Sequence, residues 1–143
     1  MLGWFGCRAV LFAGCIGMPV WADWQLDVLL ERHQSVHQLL AVQSGQHNAA
    51  LLQQQGRAHQ LQAVQLGAGN HLLVRQQGGQ HQASLLQQGD GHQSLLVQHG
   101  LGSQALVQQE GSGHQLLLKQ QGEVSLQLSQ YGQGAVLSIT QIK

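Results

Sequence analysis

Glycine returns every eleven residues through most of this chain, and that interval limits the fold more than any other feature. Gly45, Gly56, Gly67, Gly78, Gly89, Gly100, Gly111 and Gly122 share one register without a slip. Two residues before each stands a glutamine: Gln43, Gln54, Gln65, Gln76, Gln87, Gln98, Gln109 and Gln120. After a one-residue deletion, Gln130 and Gln141 resume the interval. A repeat this regular implies that every unit adopts one conformation and buries its apolar side chains against copies of itself.

With glycine as position 0, the unit reads Gln at −2, Asn, His or Ser at +3, apolar residues over +5 to +7, and the next Gln at +9. Position +3 holds Asn48, His59, Asn70, His81, His92, Ser103, His114 and Ser125. Eleven residues is also the period of a right-handed helical coiled coil, and glutamine and leucine favour helix. A helical stripe needs apolar residues three and four apart, however. Adjacent apolar residues at +5, +6 and +7 would spread over about 200° of a helix surface. One glycine per unit costs a helix about 1 kcal/mol each time. In a strand, +3, +5, +7 and +9 all point to one face.

The expected fold is therefore all-β, a β-solenoid with cross-β spacing built from about five stacked rungs of 22 residues. Each rung is a strand of six or seven residues, a glycine-centred turn of about four, and a second strand. Ten strands starting near His37 make the five rungs. Two facing sheets share the +3, +5, +7 and +9 face, with core pairs such as Ala50 with Leu52 and Leu61 with Ala63. Buried glutamines and asparagines become tolerable because identical amides stack into hydrogen-bonded ladders along the axis. Leu51, Leu73, Leu95, Leu106 and Leu117 share +6 and are expected to form an exposed apolar stripe. His59 should lie over His81, and His92 over His114.

Composition narrows the function. Charged residues are 8% of the chain, the formal net charge is zero, aromatics are 4% and there is one proline. With no basic patch to follow phosphates, nucleic acid is not an expected partner. Too few large apolar residues remain for a conventional globular core. Ser, His and Asp occur without a strand-to-helix elbow or other nucleophile context, so no enzyme is expected. No cofactor is implied either. His33 and His37 have the spacing of a helical metal pair, but HQSVH lacks the glutamate of HExxH. Asp90 stands alone in GDGHQ, unlike the repeated acids of a calcium-binding nonapeptide array. An ice-binding solenoid would show threonine columns, and the chain has only Thr140.

The N-terminus reads as an export signal spanning residues 1–22, with Arg8, the apolar run Ala9 to Met18, and a small-residue site at Val20-Trp21-Ala22. Cleavage after Ala22 places the mature start at Asp23 and removes both Cys7 and Cys15. Phe12-Ala13-Gly14-Cys15 also resembles a lipoprotein box, which would instead leave Cys15 acylated, although the apolar run before it is short. No apolar run reaches the roughly 20 residues of a membrane-spanning helix. Residues 23–33, DWQLDVLLERH, form a separate N-terminal segment, and 34–143 carry the repeats.

The unit Gln43-Ser-Gly45-Gln-His-Asn48-Ala-Ala50, a Q-x-G-x-x-N-x-A pattern, resembles the repeat of curlins, the subunits of bacterial curli amyloid. The resemblance covers about residues 34 to 143. It implies a secreted subunit of a Gram-negative bacterium, exported through the outer-membrane curli pore with accessory factors and assembled into extracellular fibres of the biofilm matrix that also serve adhesion. Residues 23–33 would then be read by the secretion pore. The repeat interval and the divergent, basic last unit, ending in Lys143, look more like the minor subunit, which nucleates polymerisation of the major curlin. Histidine in place of asparagine at several +3 positions and the heavy leucine content depart from the family. A major fibre subunit and a monomeric solenoid adhesin are the alternative readings.

Overall fold

The computed structural model describes residues 8–13, 25–30 and 38–143. Among these are twelve strands and no helix. Two short strands, β1 (Arg8–Ala13) and β2 (Gln25–Leu30), precede the repeats. The repeats supply β3 (Gln38–Gln46), β4 (Ala49–Arg57), β5 (Gln60–Ala68), β6 (His71–Gly79), β7 (Gln82–Asp90), β8 (Gln93–Leu101), β9 (Gln104–Ser112), β10 (Gln115–Gln121), β11 (Ser125–Gln133) and β12 (Val136–Ile142). Odd-numbered strands form one six-stranded sheet in chain order, and even-numbered strands form the other. The chain is thus an all-β solenoid, with β3 to β12 coiling as five rungs.

All sheet pairing is parallel, and in the regular part each residue faces the one 22 positions away: Gln38 pairs with Gln60, and Gln60 with Gln82. That register follows from the inward row. A slip of one residue would send every buried side chain to solvent. The inward positions are +3, +5, +7 and +9 throughout. Their apolar members, among them Leu39, Ala41, Leu52, Leu85, Leu96 and Leu118, make one continuous buried column. Both ends of that row are polar, with glutamine at +9 and Asn, His or Ser at +3.

The strands are longer than the sequence suggests, and the glycines do not centre the turns. Most strands run nine residues, and only two residues separate one from the next, as His47 and Asn48 separate β3 from β4. Gly45, Gly56, Gly67, Gly78, Gly89, Gly100 and Gly111 lie near the ends of strands, with φ between +99° and +126°. Packing between rungs is the reason. A Cβ on Gly45, Gly56, Gly67, Gly78, Gly89 or Gly111 would stand 1.8–2.1 Å from the carbonyl oxygen of the glycine in the next rung. The chain actually turns at +2, in the left-handed conformation, where His47, Ala58, Gly69, Gln80, Gly91, Gly102, Gly113 and Gly134 have φ between +53° and +72°.

The one-residue deletion also falls elsewhere than expected. β11 is a full nine-residue strand in register with β9, and Ser125 pairs with Gln104. The missing residue comes out of the corner at 122–124, so Ser125 is an exposed +4 residue and not the +3 residue of its unit. A strand cannot lose one residue without inverting its inward row, whereas a corner can tighten.

Candidate functional site

Two columns of glutamine run the length of the solenoid, and their amides bond in one direction only. In the odd-strand sheet, Nε2 of Gln43 donates to Oε1 of Gln65 at 2.6 Å, Gln65 to Gln87 at 2.8 Å, Gln87 to Gln109 at 3.0 Å, and Gln109 to Gln130 at 2.7 Å. In the other sheet, Gln54 donates to Gln76, Gln76 to Gln98 and Gln98 to Gln120 at 2.8–3.0 Å, then Gln120 to Gln141 at 3.4 Å. The second Nε2 hydrogen crosses the core to a backbone carbonyl, as Gln98 does to Gln82 and Gln120 to Gln104. Satisfied in this way, a fully buried amide loses little on leaving water.

The +3 column works differently. Asn48 Nδ2 donates to the carbonyls of Ser44 and Gly67, while its Oδ1 accepts the backbone N–H of Asn70. Asn70 repeats the pattern toward Leu66, Gly89 and His92. Histidine reproduces this bonding with its ring. The Nε2 atoms of His59, His81, His92 and His114 lie 3.0–3.1 Å from the carbonyls of Gln55, Gln77, Gln88 and Glu110. A carbonyl only accepts, so Nε2 carries the proton. Nδ1 then accepts a backbone N–H from the next rung: Ser103 to His81, His114 to His92, and Ala135 to His114.

His59 stacks on His81 with ring centroids 5.2 Å apart, and His92 on His114 at 5.1 Å. Burial pushes the His59 imidazole below its usual range, against a raising contribution from the Gln55 carbonyl. Burial likewise lowers His81, and charge repulsion from His59 and His99 adds to that.

Two features of the site carried no sequence signal. Ser94 replaces an apolar +5 residue and joins the glutamine column of the opposite sheet, accepting from Gln87 and donating to Gln109 at 2.6 Å. Asp90 is a backbone cap, its Oδ1 accepting the Ala68 N–H at 2.8 Å. His33 and His37 lie outside the described residues, as do most of 1–22 and the ends of 23–33.

The outer faces divide the leucines. Leu51, Leu73, Leu95 and Leu117 are successive partners on the even-strand sheet, and the stripe ends at Ser138. Leu106 does not join them. It lies on the other sheet between Ser84 and Gln127, because successive units alternate between sheets. Leu51 and Leu73 are exposed, while Leu95 and Leu117 are half-buried.

At its last rung the solenoid is open. No described strand pairs with the outer edges of β11 and β12. Leu126, Leu128, Leu137 and Ile139 pack against the core from one side only and stay half-buried. An uncovered parallel edge with an apolar and amide row beneath it is a template for another strand. No family model, curated protein or solved structure matches the chain.

Proposed function

We propose that this chain is an extracellular functional-amyloid subunit of the curlin kind, the minor subunit that nucleates polymerisation of a major curlin on the cell surface. The observation that carries this reading is the bare edge of β11 and β12 at the end of five in-register parallel rungs. Its mechanism is templating. An incoming chain with the same repeat gives up conformational entropy as its backbone pairs with that edge, and its glutamines extend the amide columns. No side chain acts as a catalyst. Export follows from the signal at 1–22 and recognition of 23–33 by the secretion pore, and the fibres then contribute to biofilm matrix and adhesion.

The test is dye-binding kinetics of a major curlin with and without the purified mature chain. Substoichiometric amounts should shorten the lag. An unchanged lag with ready self-assembly identifies a major subunit. An unchanged lag with a stable monomer identifies a solenoid adhesin.

A further inference from the structure

The two outer faces share one shape and differ in chemistry. On each sheet a shallow groove runs along the axis beside the outward +4 and +6 rows and crosses all five rungs. On the odd-strand sheet the +6 row is mixed: Leu40, Gln62, Ser84, Leu106 and Gln127. On the even-strand sheet it is Leu51, Leu73, Leu95 and Leu117 in succession. At the spacing of neighbouring strands those four make a stripe about 14 Å long.

Charge divides the same way. Every lysine and arginine of residues 38–143 stands on an even strand or directly after one: Arg57 in β4, Arg75 in β6, Lys119 in β10 and Lys143 beyond β12. The odd strands hold the acids Asp90 and Glu110, and Glu123 lies in a corner. Arg75 and Lys119 are exposed members of the outward +8 row, separated by Val97. They stand about 9.6 Å from one another along the axis and about 7 Å along their strands from the leucine stripe. No acid occupies a +4, +6 or +8 position of β4, β6, β8, β10 or β12. The nearest in register is Asp27 of β2, which pairs with Leu51 at the first-rung end.

A soluble polyanion would engage the cations and leave the leucines in water. An uncharged apolar surface would strip water from Arg75 and Lys119 without replacing it. A second copy laid against this face offers no matching acid, because the +4, +6 and +8 rows of the odd-strand sheet contain none either. An anionic bilayer surface satisfies both features, since hydrocarbon and phosphate lie side by side there. Long basic side chains reach the phosphates while their stems cover apolar surface.

We infer that the outer face of the even-strand sheet binds an anionic phospholipid bilayer, with the leucine stripe at the acyl boundary and Arg75 and Lys119 on headgroup phosphates. This rests on the proposed function and deepens it, naming what holds the nucleator at the cell surface. The backbone donors and acceptors of the β11–β12 edge point along the axis, parallel to the bilayer, so that edge stays free for an incoming chain.

Flotation of the freshly purified mature chain with vesicles tests this. The chain should rise with mixed phosphatidylglycerol and phosphatidylcholine vesicles and stay behind with phosphatidylcholine alone. Arg75→Gln with Lys119→Gln should cut partitioning about 25-fold, at about fivefold per basic residue. Leu51→Ser with Leu73→Ser, at side chains 39% and 37% exposed, should cut it about tenfold. Leu40→Ser with Leu106→Ser, on the other sheet, should change nothing. All three double variants should still shorten the lag of a major curlin in lipid-free solution, which also shows that they fold. Flotation that ignores lipid charge, survives loss of both cations, or is weakened as much by the odd-sheet variant as by the leucine variant overturns the inference. Capture on dextran sulfate beads without any flotation also overturns it and identifies a soluble polyanion as the partner. A chain that floats as expected but leaves the lag unchanged overturns the nucleator reading alone.

Discussion

The +9 and +3 columns are both buried polar rows running the length of one solenoid, yet one is glutamine at every position and the other mixes Asn, His, Ser, Val and Ala. The difference lies in where the bonds go. A +9 amide receives from one rung and gives to the next, so each glutamine needs a glutamine on either side. A +3 asparagine or histidine serves backbone, reaching a carbonyl four residues back and, in Asn48, Asn70, His81, His92 and His114, an N–H in the following rung, while Ser103 donates to the Gly122 carbonyl. Any side chain with an acceptor and a donor so placed will do, and each position is independent of its neighbours. Uniformity in the sequence therefore marks side chains that bond to one another, and variety marks side chains that bond to the main chain.

The sharpest way to break this comparison is Gln76→Leu. It orphans the Nε2 donor of Gln54 and the Oε1 acceptor of Gln98, each deep in the core. At about 1–3 kcal/mol per orphaned group, the loss should be about 2–6 kcal/mol, read as a lower guanidinium midpoint of the folded solenoid. A loss below about 1 kcal/mol would mean that the columns are not cooperative rows.

Acid should act on the +3 column through His59 and His81. Above pH about 6.5 His59 and His81 are neutral in both folded and unfolded chains, and their contribution to stability is at its full value. Below that, the unfolded chain takes up protons that His59 and His81, lowered by burial, do not bind in the fold. Stability then falls by about 1.4 kcal/mol per pH unit per histidine until the folded-state value is reached. Protonating His81 Nδ1 also forfeits its bond from the Ser103 N–H. Unfolding midpoints at pH 7.5 and pH 5 measure this, and equal midpoints would show that the ladder accommodates charge.

The smallest effect should come from His81→Asn. If an amide and a neutral imidazole are interchangeable at +3, stability at pH 7.5 should change by less than about 1 kcal/mol, while part of the acid sensitivity disappears. A large loss at neutral pH would show that the ring stack at 5.2 Å, and not the backbone bonds, holds this position.

Much of this architecture was legible because it is local or periodic. Alternation at +3, +5, +7 and +9 identifies strands, and the 22-residue double unit fixes their stacking. The role of the glycines was not, because the atom that excludes a Cβ on Gly78 is the carbonyl of Gly100, one whole rung away. Nor was the corner at +2, where His47, Ala58 and Gln80 share a left-handed backbone with five glycines and no residue type announces it. The five-leucine stripe failed on parity: an identical position in successive units falls on opposite sheets, which separates Leu106 from the rest. The deletion was misplaced because counting from Gly122 puts Ser125 at +3 until Ser125 is found opposite Gln104.

Those corners also bear on how the chain folds. Left-handed backbone costs a residue with a Cβ about 1–2 kcal/mol that glycine is spared. His47, Ala58 and Gln80 all precede β7, whereas Gly91, Gly102 and Gly113 follow within the next two rungs. Closing a first loop is the slow event in a one-dimensional array, and later loops are templated by the one before. The segment from β7 to β12 has glycine at every positive-φ corner between strands, so among the described residues it is the cheapest place for a nucleus. The early rungs are then expected to meet their corner strain only after a neighbour is present to offset it, with the zipper running toward the N-terminus.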